Sequence, residues 1–196
     1  MLELKVSPFI NSYGGEATVF IEERMKHARV SIGLINPKSP DNVGAVLRAA
    51  ANYRVSQVFY TGDRYPQAIE RKGRTMDMSR KVGKDVLLSA TEQLSDVIMG
   101  NMKIVCVEFA IDAIPLPAYQ HPRDALYIFG PEDGSIDQSL IDQADAVIYV
   151  PTVGCMNLSA SVNVLLYDRM AKSADDYASN GLISESRDTN NRLKVF

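Results

Sequence analysis

The chain is poor in the residues that mark several common kinds of site. Its 196 residues contain no tryptophan, two cysteines and two histidines. Cys106 and Cys155 are too few for a disulfide framework. Together with His27 and His121 they also lack the spacing of zinc ligands. We therefore expect neither a disulfide framework nor a bound metal ion.

Long apolar runs are also missing. No stretch approaches the roughly 20 apolar residues that a helix needs to cross a bilayer, and the first residues lack the basic-then-apolar order of a signal peptide. Hydrophobic residues still make up 46% of the chain, which is enough for the core of one domain. We expect a cytoplasmic, soluble protein with no membrane partner.

The net charge of −3 gives no global basic field that would attract nucleic acid. Cations are nevertheless concentrated between residues 64 and 84, where the only acids are Glu70 and Asp77. We call the cations of this segment the basic strip: Arg64, Arg71, Lys72, Arg74, Arg80, Lys81 and Lys84. Such a strip can bind phosphates on an acidic protein, or it can be a solvated helix face.

Six segments have the composition of buried strands, and they alternate with helical segments. The strands are predicted at residues 30–35, 55–60, 86–88, 103–109, 125–129 and 147–150. This alternation predicts an α/β fold with a mostly parallel sheet flanked by helices. We expect a core domain over residues 29–172, an N-terminal appendage over 1–28 with a possible helix at 16–29, and a flexible polar tail over 173–196.

N-cap residues and apolar spacing predict the helices. Asp41 or Asn42 can cap the first helix, and Thr91 can cap another that runs to residue 99. A short helix is predicted at 138–143, and Asn157 or Ser159 can cap the last one. The proline-rich stretch 111–122 is predicted to be a loop.

Two loops with glycine follow predicted strands, at residues 130–135 and 151–157. Ligands of open α/β sheets bind at the carboxyl ends of the strands, where loops expose main-chain N–H groups. Neither the dinucleotide pattern GxGxxG, nor the phosphate-binding pattern GxxxxGK[ST], nor the nucleophile pattern GxSxG occurs. The loops are therefore either a ligand site of another kind or ordinary strand-to-helix turns.

Three short motifs stand in order along the chain: N-x-G-x-x-x-R at 42–48, F-G-P-E-x-G at 129–134, and V-P…G-C-M-N-L-S at 150–159. Together they resemble the SpoU/TrmH family of SPOUT-class RNA methyltransferases. The resemblance covers roughly residues 30–172. Three features depart from the family pattern: Cys155 stands where serine is usual, the third loop is shorter, and the glycine after Glu132 comes one position early.

This resemblance implies an α/β fold with a C-terminal trefoil knot. It also implies transfer of a methyl group from S-adenosyl-L-methionine to a ribose 2′-hydroxyl of tRNA or rRNA, by a homodimer. The alternative is a knotted RNA-binding protein that has lost methyl transfer.

Residue roles follow from the same motifs. The resemblance makes Arg48 the catalytic residue, assisted by Asn42, which can cap a helix, and by Glu132, which orders the active-site loop or pairs with an arginine. Asn157 and the basic strip are expected to contact RNA. The resemblance assigns to the cofactor site Val107, Glu108, Phe129, Gly130, Gly134, Val150, Cys155, Met156 and Leu158.

Overall fold

The computed structural model describes residues 28–72, 86–173, 178–187, 190–193 and 195. Most of the expected N-terminal appendage, including nearly all of its possible helix, lies outside these residues. So do four members of the basic strip: Arg74, Arg80, Lys81 and Lys84.

Seven strands form one sheet in which neighbouring strands run parallel. They are β1 Val30–Leu34, β2 Gln57–Tyr60, β3 Leu87–Ala90, β4 Lys103–Val107, β5 Ile114–Pro115, β6 Ala125–Phe129 and β7 Ala146–Tyr149. The order across the sheet is β3-β2-β1-β6-β4-β7-β5. The predicted α/β fold with a parallel sheet is thus confirmed.

Five α-helices are seen in the described residues. They are α1 Pro40–Asn52, α2 Arg64–Lys72, α3 Gln138–Ile141, α4 Leu158–Lys172 and α5 Asn180–Ser186. The cap predicted at Asn157 is present, because its side chain accepts hydrogen bonds from the N–H groups of Ser159 and Ala160 at the start of α4.

Helix α1 begins earlier than predicted. Its N-cap is Ser39, whose hydroxyl accepts a hydrogen bond from Asn42 N, and Pro40 is the first helical residue. Proline suits this position because the first N–H groups of a helix have no partner within it. Asn42 therefore lies inside the first turn, and its side chain is not used as the cap.

Three other segments differ from the sequence prediction. The helix predicted from Thr91 is a short 3-10 helix at Leu94–Val97, and the Thr91 hydroxyl donates to the Gln93 carbonyl. The loop predicted at 111–122 contains β5 and a 3-10 helix at Leu116–Ala118. The polar tail contains α5, which has no buried residues and is capped by Ser179.

The core has two halves, one on each face of the sheet. One half packs β-strand residues against α1 and α4, and the other packs them against Leu94 and Ile136. Strand β6 contributes to both, because alternate side chains point to opposite faces: Tyr127 lies with α4 and Ile128 lies on the other face. Cys106 is fully buried, and this burial raises the pKa of its thiol to about 12.

No helix within the described ranges is long and apolar enough to cross a membrane. The strand order brings together loops that are far apart in the sequence. Strands β1, β6, β4 and β7 are successive neighbours, so the loops that leave their carboxyl ends meet at one edge.

Candidate active site

Glu132 connects the loop after β6 to the start of α1. Its carboxylate accepts hydrogen bonds from Lys38 N at 3.0 Å, Ser39 N at 3.2 Å and Asn42 Nδ2 at 3.2 Å. Partial burial would raise the pKa of Glu132, but these hydrogen bonds to the charged form outweigh it and lower the pKa. Glu132 is therefore an ionised anchor that holds the 38–42 segment against the loop.

Asn42 extends this contact to the third loop. Its Oδ1 accepts a hydrogen bond of 2.9 Å from Asn157 Nδ2, while its own Nδ2 donates to Glu132. An ionised carboxylate can only accept, so the amide orientation of Asn42 is fixed by its neighbour. Asn157, Asn42 and Glu132 thus form one chain of side-chain hydrogen bonds that joins all three motifs.

Asn157 performs two tasks with the two ends of one amide group. Its Oδ1 accepts from Ser159 N at 2.9 Å and from Ala160 N at 3.4 Å, which caps α4. Its Nδ2 is left to donate to Asn42. The position of the α4 N-terminus is therefore coupled to the position of the α1 N-terminus.

Arg48 lies on α1 outside this chain of hydrogen bonds. Its side chain is exposed, and no partner for it is found among the residues that the structure describes. It is four residues after Gly44, and side chains four apart share a helix face and lean toward the N-terminus. The guanidinium is thus available to a ligand on the solvent side of α1.

A second acid of the same loop binds two cations. Asp133 accepts from Arg64 Nη1 at 2.8 Å and Nη2 at 2.9 Å, and from Lys38 Nζ at 3.1 Å. The hydrogen bonds from Arg64 and Lys38 hold the pKa of Asp133 at about 2. We call these three residues the Asp133 clamp.

Glu108 supports the loop after β6 from the other side. Its carboxylate accepts from Ile136 N at 3.0 Å and from Phe109 N at 2.9 Å. A Cβ atom added at Gly130 would lie 3.3 Å from Glu108 Oε2 and 3.2 Å from Ile136 Cγ1. Glycine at 130 therefore permits the close packing of loop against strand end, and Glu108 holds that packing together.

The third loop offers main-chain donors. No acceptor for the N–H groups of residues 153–156 is found in the described part of the chain, and residues 151–155 are exposed. The Thr152 hydroxyl donates to the Gly154 carbonyl at 2.7 Å, which closes the turn. Free N–H groups beside the tight Gly130 loop fit a cofactor that is held by main-chain contacts.

The nine residues predicted to bind the cofactor lie at the ends of three neighbouring strands, but their side chains differ in access. Phe129 and Leu158 are buried in the core, so only their main chain can reach a ligand. Val107 and Val150 are half-buried against that core. Cys155 is exposed and Met156 is half-buried, both beside the α4 cap.

The basic strip is only partly described. Arg64 is engaged by Asp133, and Arg71 is exposed on α2. Lys72 is the last residue of α2. Sequence reasoning missed Lys38, Ser39 and Asp133, although the Ser39-Pro40 pair is a recognisable helix start and Asp133 adjoins the predicted Glu132.

Comparisons with known proteins bear on the family and the fold of the chain. The model of the SpoU rRNA methylase family matches residues 29–167. The A. aeolicus TrmH/SpoU tRNA modifying enzyme is 17% identical, with a TM-score of 0.61 over 78% of this chain and 84% of that one. No curated protein sequence gives a significant match.

Two further solved structures are similar. The SpoU methyltransferase AviRb from Streptomyces viridochromogenes, in complex with AdoMet, is 13% identical with a TM-score of 0.59, over 74% of this chain and 58% of that one. A protein described as an RNA 2′-O ribose methyltransferase is 21% identical with a TM-score of 0.58, over 74% and 57%. The chain thus spans less than two thirds of either protein, and at these identities the likeness concerns the fold.

Proposed function

The chain belongs to the SpoU rRNA methylase family, and we propose that it transfers a methyl group from S-adenosyl-L-methionine to a ribose 2′-hydroxyl of tRNA or rRNA. The observation that carries this proposal is the hydrogen-bonded chain Asn157–Asn42–Glu132. It joins the three motifs into one site at the carboxyl edge of the sheet, where α/β proteins bind ligands.

S-adenosyl-L-methionine, when bound, supplies a methyl group on a positively charged sulfur. The free N–H groups of residues 153–156 and the close-packed Gly130 loop are the features that would hold it. Methyl transfer would form the O–CH3 bond as the sulfur–methyl bond breaks, would leave S-adenosyl-L-homocysteine, and would release the hydroxyl proton to solvent. It requires the oxygen in line with the methyl carbon, so orientation is the main task left to the protein.

Arg48 is the residue that we propose to orient the substrate. Arginine keeps its proton in nearly all proteins, and its planar fork suits a phosphate better than it suits proton abstraction. We propose that Arg48 grips a phosphate beside the target ribose and that Asn42 and Glu132 fix the start of its helix. Asn157 and the basic strip contribute further RNA contacts.

A second copy of the chain is part of the proposal. Helix α4 leaves Val164 and Tyr167 exposed on the face opposite its buried residues, and Phe109 and Ile111 are exposed on the loop after β4. Apolar side chains of this size near a site are suited to a protein interface. We propose a homodimer, with residues 29–172 as the methyltransferase domain, residues 1–28 appended and residues 173–196 as a tail.

Two finer points complete the proposal. We expect the segment that leads into α4 to form the trefoil knot of SPOUT proteins, and we expect the enzyme to work in the cytoplasm, where tRNA and ribosomes are found. No described feature favours the alternative of an RNA-binding protein without methyl transfer.

The test is incorporation of labelled methyl from S-adenosyl-L-methionine into total cellular RNA resolved by size into tRNA and rRNA. Wild type should label one class. Arg48→Ala should abolish the label, whereas Arg187→Ala, at an exposed arginine that directly follows α5, should leave it unchanged. Label that persists in Arg48→Ala would contradict the role of Arg48.

If wild type gives no label, calorimetry with S-adenosyl-L-methionine separates the remaining cases. If the protein binds this cofactor, the RNA supplied was already modified or lacked the target. The assay is then repeated with RNA from a strain that lacks the modification. A protein that binds RNA but not the cofactor would refute the proposed enzyme.

A further inference from the structure

We propose that Lys38 and Arg64 form a binding site for an RNA backbone phosphate, and that Asp133 occupies this site when RNA is absent. The inference rests on the proposed function and adds a site to it. Lys38 and Asp133 belong to none of the residues that the motifs single out.

The first argument is the geometry of the Asp133 clamp. The two oxygens of Asp133 meet Arg64 Nη1 and Nη2 at 2.8 and 2.9 Å, and Lys38 Nζ approaches Oδ2 at 3.1 Å. Two forked donors plus a third point charge are what a phosphodiester group recruits in proteins. The carboxylate therefore sits where a phosphate would make the same contacts.

The second argument is the contrast between two adjacent acids. Glu132 accepts from two main-chain N–H groups and from the Asn42 amide, all in part-buried or loop positions that hold the fold. Among the residues that the structure describes, the Asp133 carboxylate binds the ends of two cationic side chains and no main-chain N–H group. The side chain of Asp133 can therefore move away from Lys38 and Arg64 without breaking the contact between the loop and α1. The same movement of Glu132 would break that contact.

The third argument is solvent access. The side chains of Lys38 and Asp133 are 47% and 50% exposed, and that of Arg64 is 30% exposed. Ion pairs this accessible contribute little to stability, so exchange of one anion for another is easy. Arg64 is held in place meanwhile, because its main-chain N–H donates to Asn36 Oδ1 at 3.3 Å.

The Lys38–Arg64 site adjoins the hydrogen-bond network of Glu132 and Asn42. Lys38 N donates to Glu132, which in turn binds Asn42. A phosphate bound by the Lys38 side chain would thus lie next to the network that positions Arg48. The bound phosphate sets the register of the RNA strand. In the absence of RNA, Asp133 keeps the two cations from binding other anions.

The chain offers matched controls at the opposite edge of the sheet. Lys103 is the first residue of β4, Asp145 directly precedes β7, and the two form an ion pair of 2.7 Å with side chains 53% and 38% exposed. Lys103→Gln and Asp145→Asn therefore remove the same charges as Lys38→Gln and Asp133→Asn, from positions of similar exposure but away from the site.

The experiment measures binding of end-labelled bulk tRNA and of poly(U) by fluorescence anisotropy at several KCl concentrations. Lys38→Gln and Arg64→Gln should each weaken binding about three- to tenfold and lower the slope of log K against log salt by about 1. Asp133→Asn should tighten binding about two- to fivefold, as expected on removal of an exposed competing ion pair. The Lys103 and Asp145 variants should match wild type.

The decisive variant combines Asp133→Asn with Lys38→Gln and Arg64→Gln. If Asp133 competes with phosphate for these cations, its substitution has no effect once they are gone. Tighter binding that persists in this background, or that Asp145→Asn reproduces, would overturn the inference and leave methyl transfer untouched. Absence of binding of both RNAs by wild type would overturn this inference, whereas the proposed function is judged separately by label incorporation.

Discussion

Helix α4 has a hydrogen-bond network at each end, and the two networks differ in what they leave open. At the N-terminal end, Asn157 and Asn42 form part of a hydrogen-bonded chain of exposed and half-buried side chains. At the C-terminal end, His121, Asp168 and Arg169 belong to a network whose members bind one another and nearby carbonyl groups.

The C-terminal network is closed. His121 Nδ1 lies 2.7 Å from the Tyr127 hydroxyl, and His121 Nε2 lies 2.9 Å from Asp168. Lys172 donates to the carbonyls of Leu116 and Tyr119 and pairs with Asp168. No buried side-chain nitrogen or oxygen in the described ranges lacks a partner. A satisfied network of this kind stabilises a fold.

Hydrogen-bond donors around the N-terminal network remain unused. The main-chain donors of residues 153–156 and the Arg48 guanidinium have no partner within the described ranges. The C-terminal end of α4 is thus held by a closed network, whereas its N-terminal end leaves donors open to a ligand. We therefore expect substitutions at the N-terminal end to lower methyl transfer and those at the C-terminal end to lower stability.

The largest effect is expected from Arg48→Ala. Loss of a group that positions the reacting atoms can lower turnover by about 100-fold. The side chain is exposed, so the free energy of unfolding should change by no more than about 0.5 kcal/mol. Steady-state methyl transfer and urea denaturation, measured on the same preparation, check the loss of turnover and the unchanged stability. A large loss of stability would show that Arg48 has a structural role, and would contradict this prediction.

The next largest effect is expected from Arg169→Met. In contrast to Arg48→Ala, this substitution should lower stability and leave methyl transfer nearly unchanged. Arg169 donates to the carbonyls of Pro122 and Arg123 at 2.6 Å each and to the Tyr127 hydroxyl at 2.8 Å. Hydrogen bonds from a charged group are worth about 1.5–3 kcal/mol, so urea denaturation should show a loss of about 2–3 kcal/mol. Methyl transfer below the melting temperature should stay within about twofold of wild type, and a greater loss of activity would break the comparison.

Asn157 separates the two roles within one side chain. Serine is also a good N-cap, so Asn157→Ser should keep the stability of α4 but remove the amide that donates to Asn42. We expect methyl transfer to fall about tenfold, which corresponds to one lost hydrogen bond near the upper end of the usual range. Asn157→Ala should add a loss of about 1 kcal/mol in the free energy of unfolding. Equal stability of the two variants would show that the cap contributes nothing.

The smallest effect is a pH dependence of stability. Burial lowers the pKa of His121 below its usual 6.5, and Arg169 and Lys172 also lower it, although Asp168 opposes them. A histidine with a lowered pKa in the folded state favours folding above pH 6.5. As the pH falls below this value the unfolded chain binds the proton first, so stability is lost. The melting temperature should thus fall more steeply between pH 7.5 and about 5.5 in wild type than in His121→Gln.

The sequence was sufficient for the fold and for the identity of the main loops. Buried strands such as Ala125–Phe129 are short apolar runs that alternate with helical segments, and this pattern is local. Asn157 could be predicted as a cap for the same reason. Strand β5 could not, because two residues beside prolines carry no periodic signal.

The partners of the site residues could not be predicted, because they depend on the order of the strands. Asp133 meets Arg64 and Lys38 across 69 and 95 residues of sequence. These contacts exist because β6 lies next to β1, and β1 lies next to β2, in the sheet. Local patterns say where each loop begins, but not which loop lies beside it.

The measurement that tests the account most directly is the identity of the methylated nucleoside. RNA labelled by wild type would be digested to nucleosides and resolved by liquid chromatography and mass spectrometry, with RNA from the Arg48→Ala reaction as the control. The account predicts a nucleoside with the methyl group on the ribose, which is missing from the control. A methyl group on the base, or a ribose product that Arg48→Ala forms equally well, would contradict it.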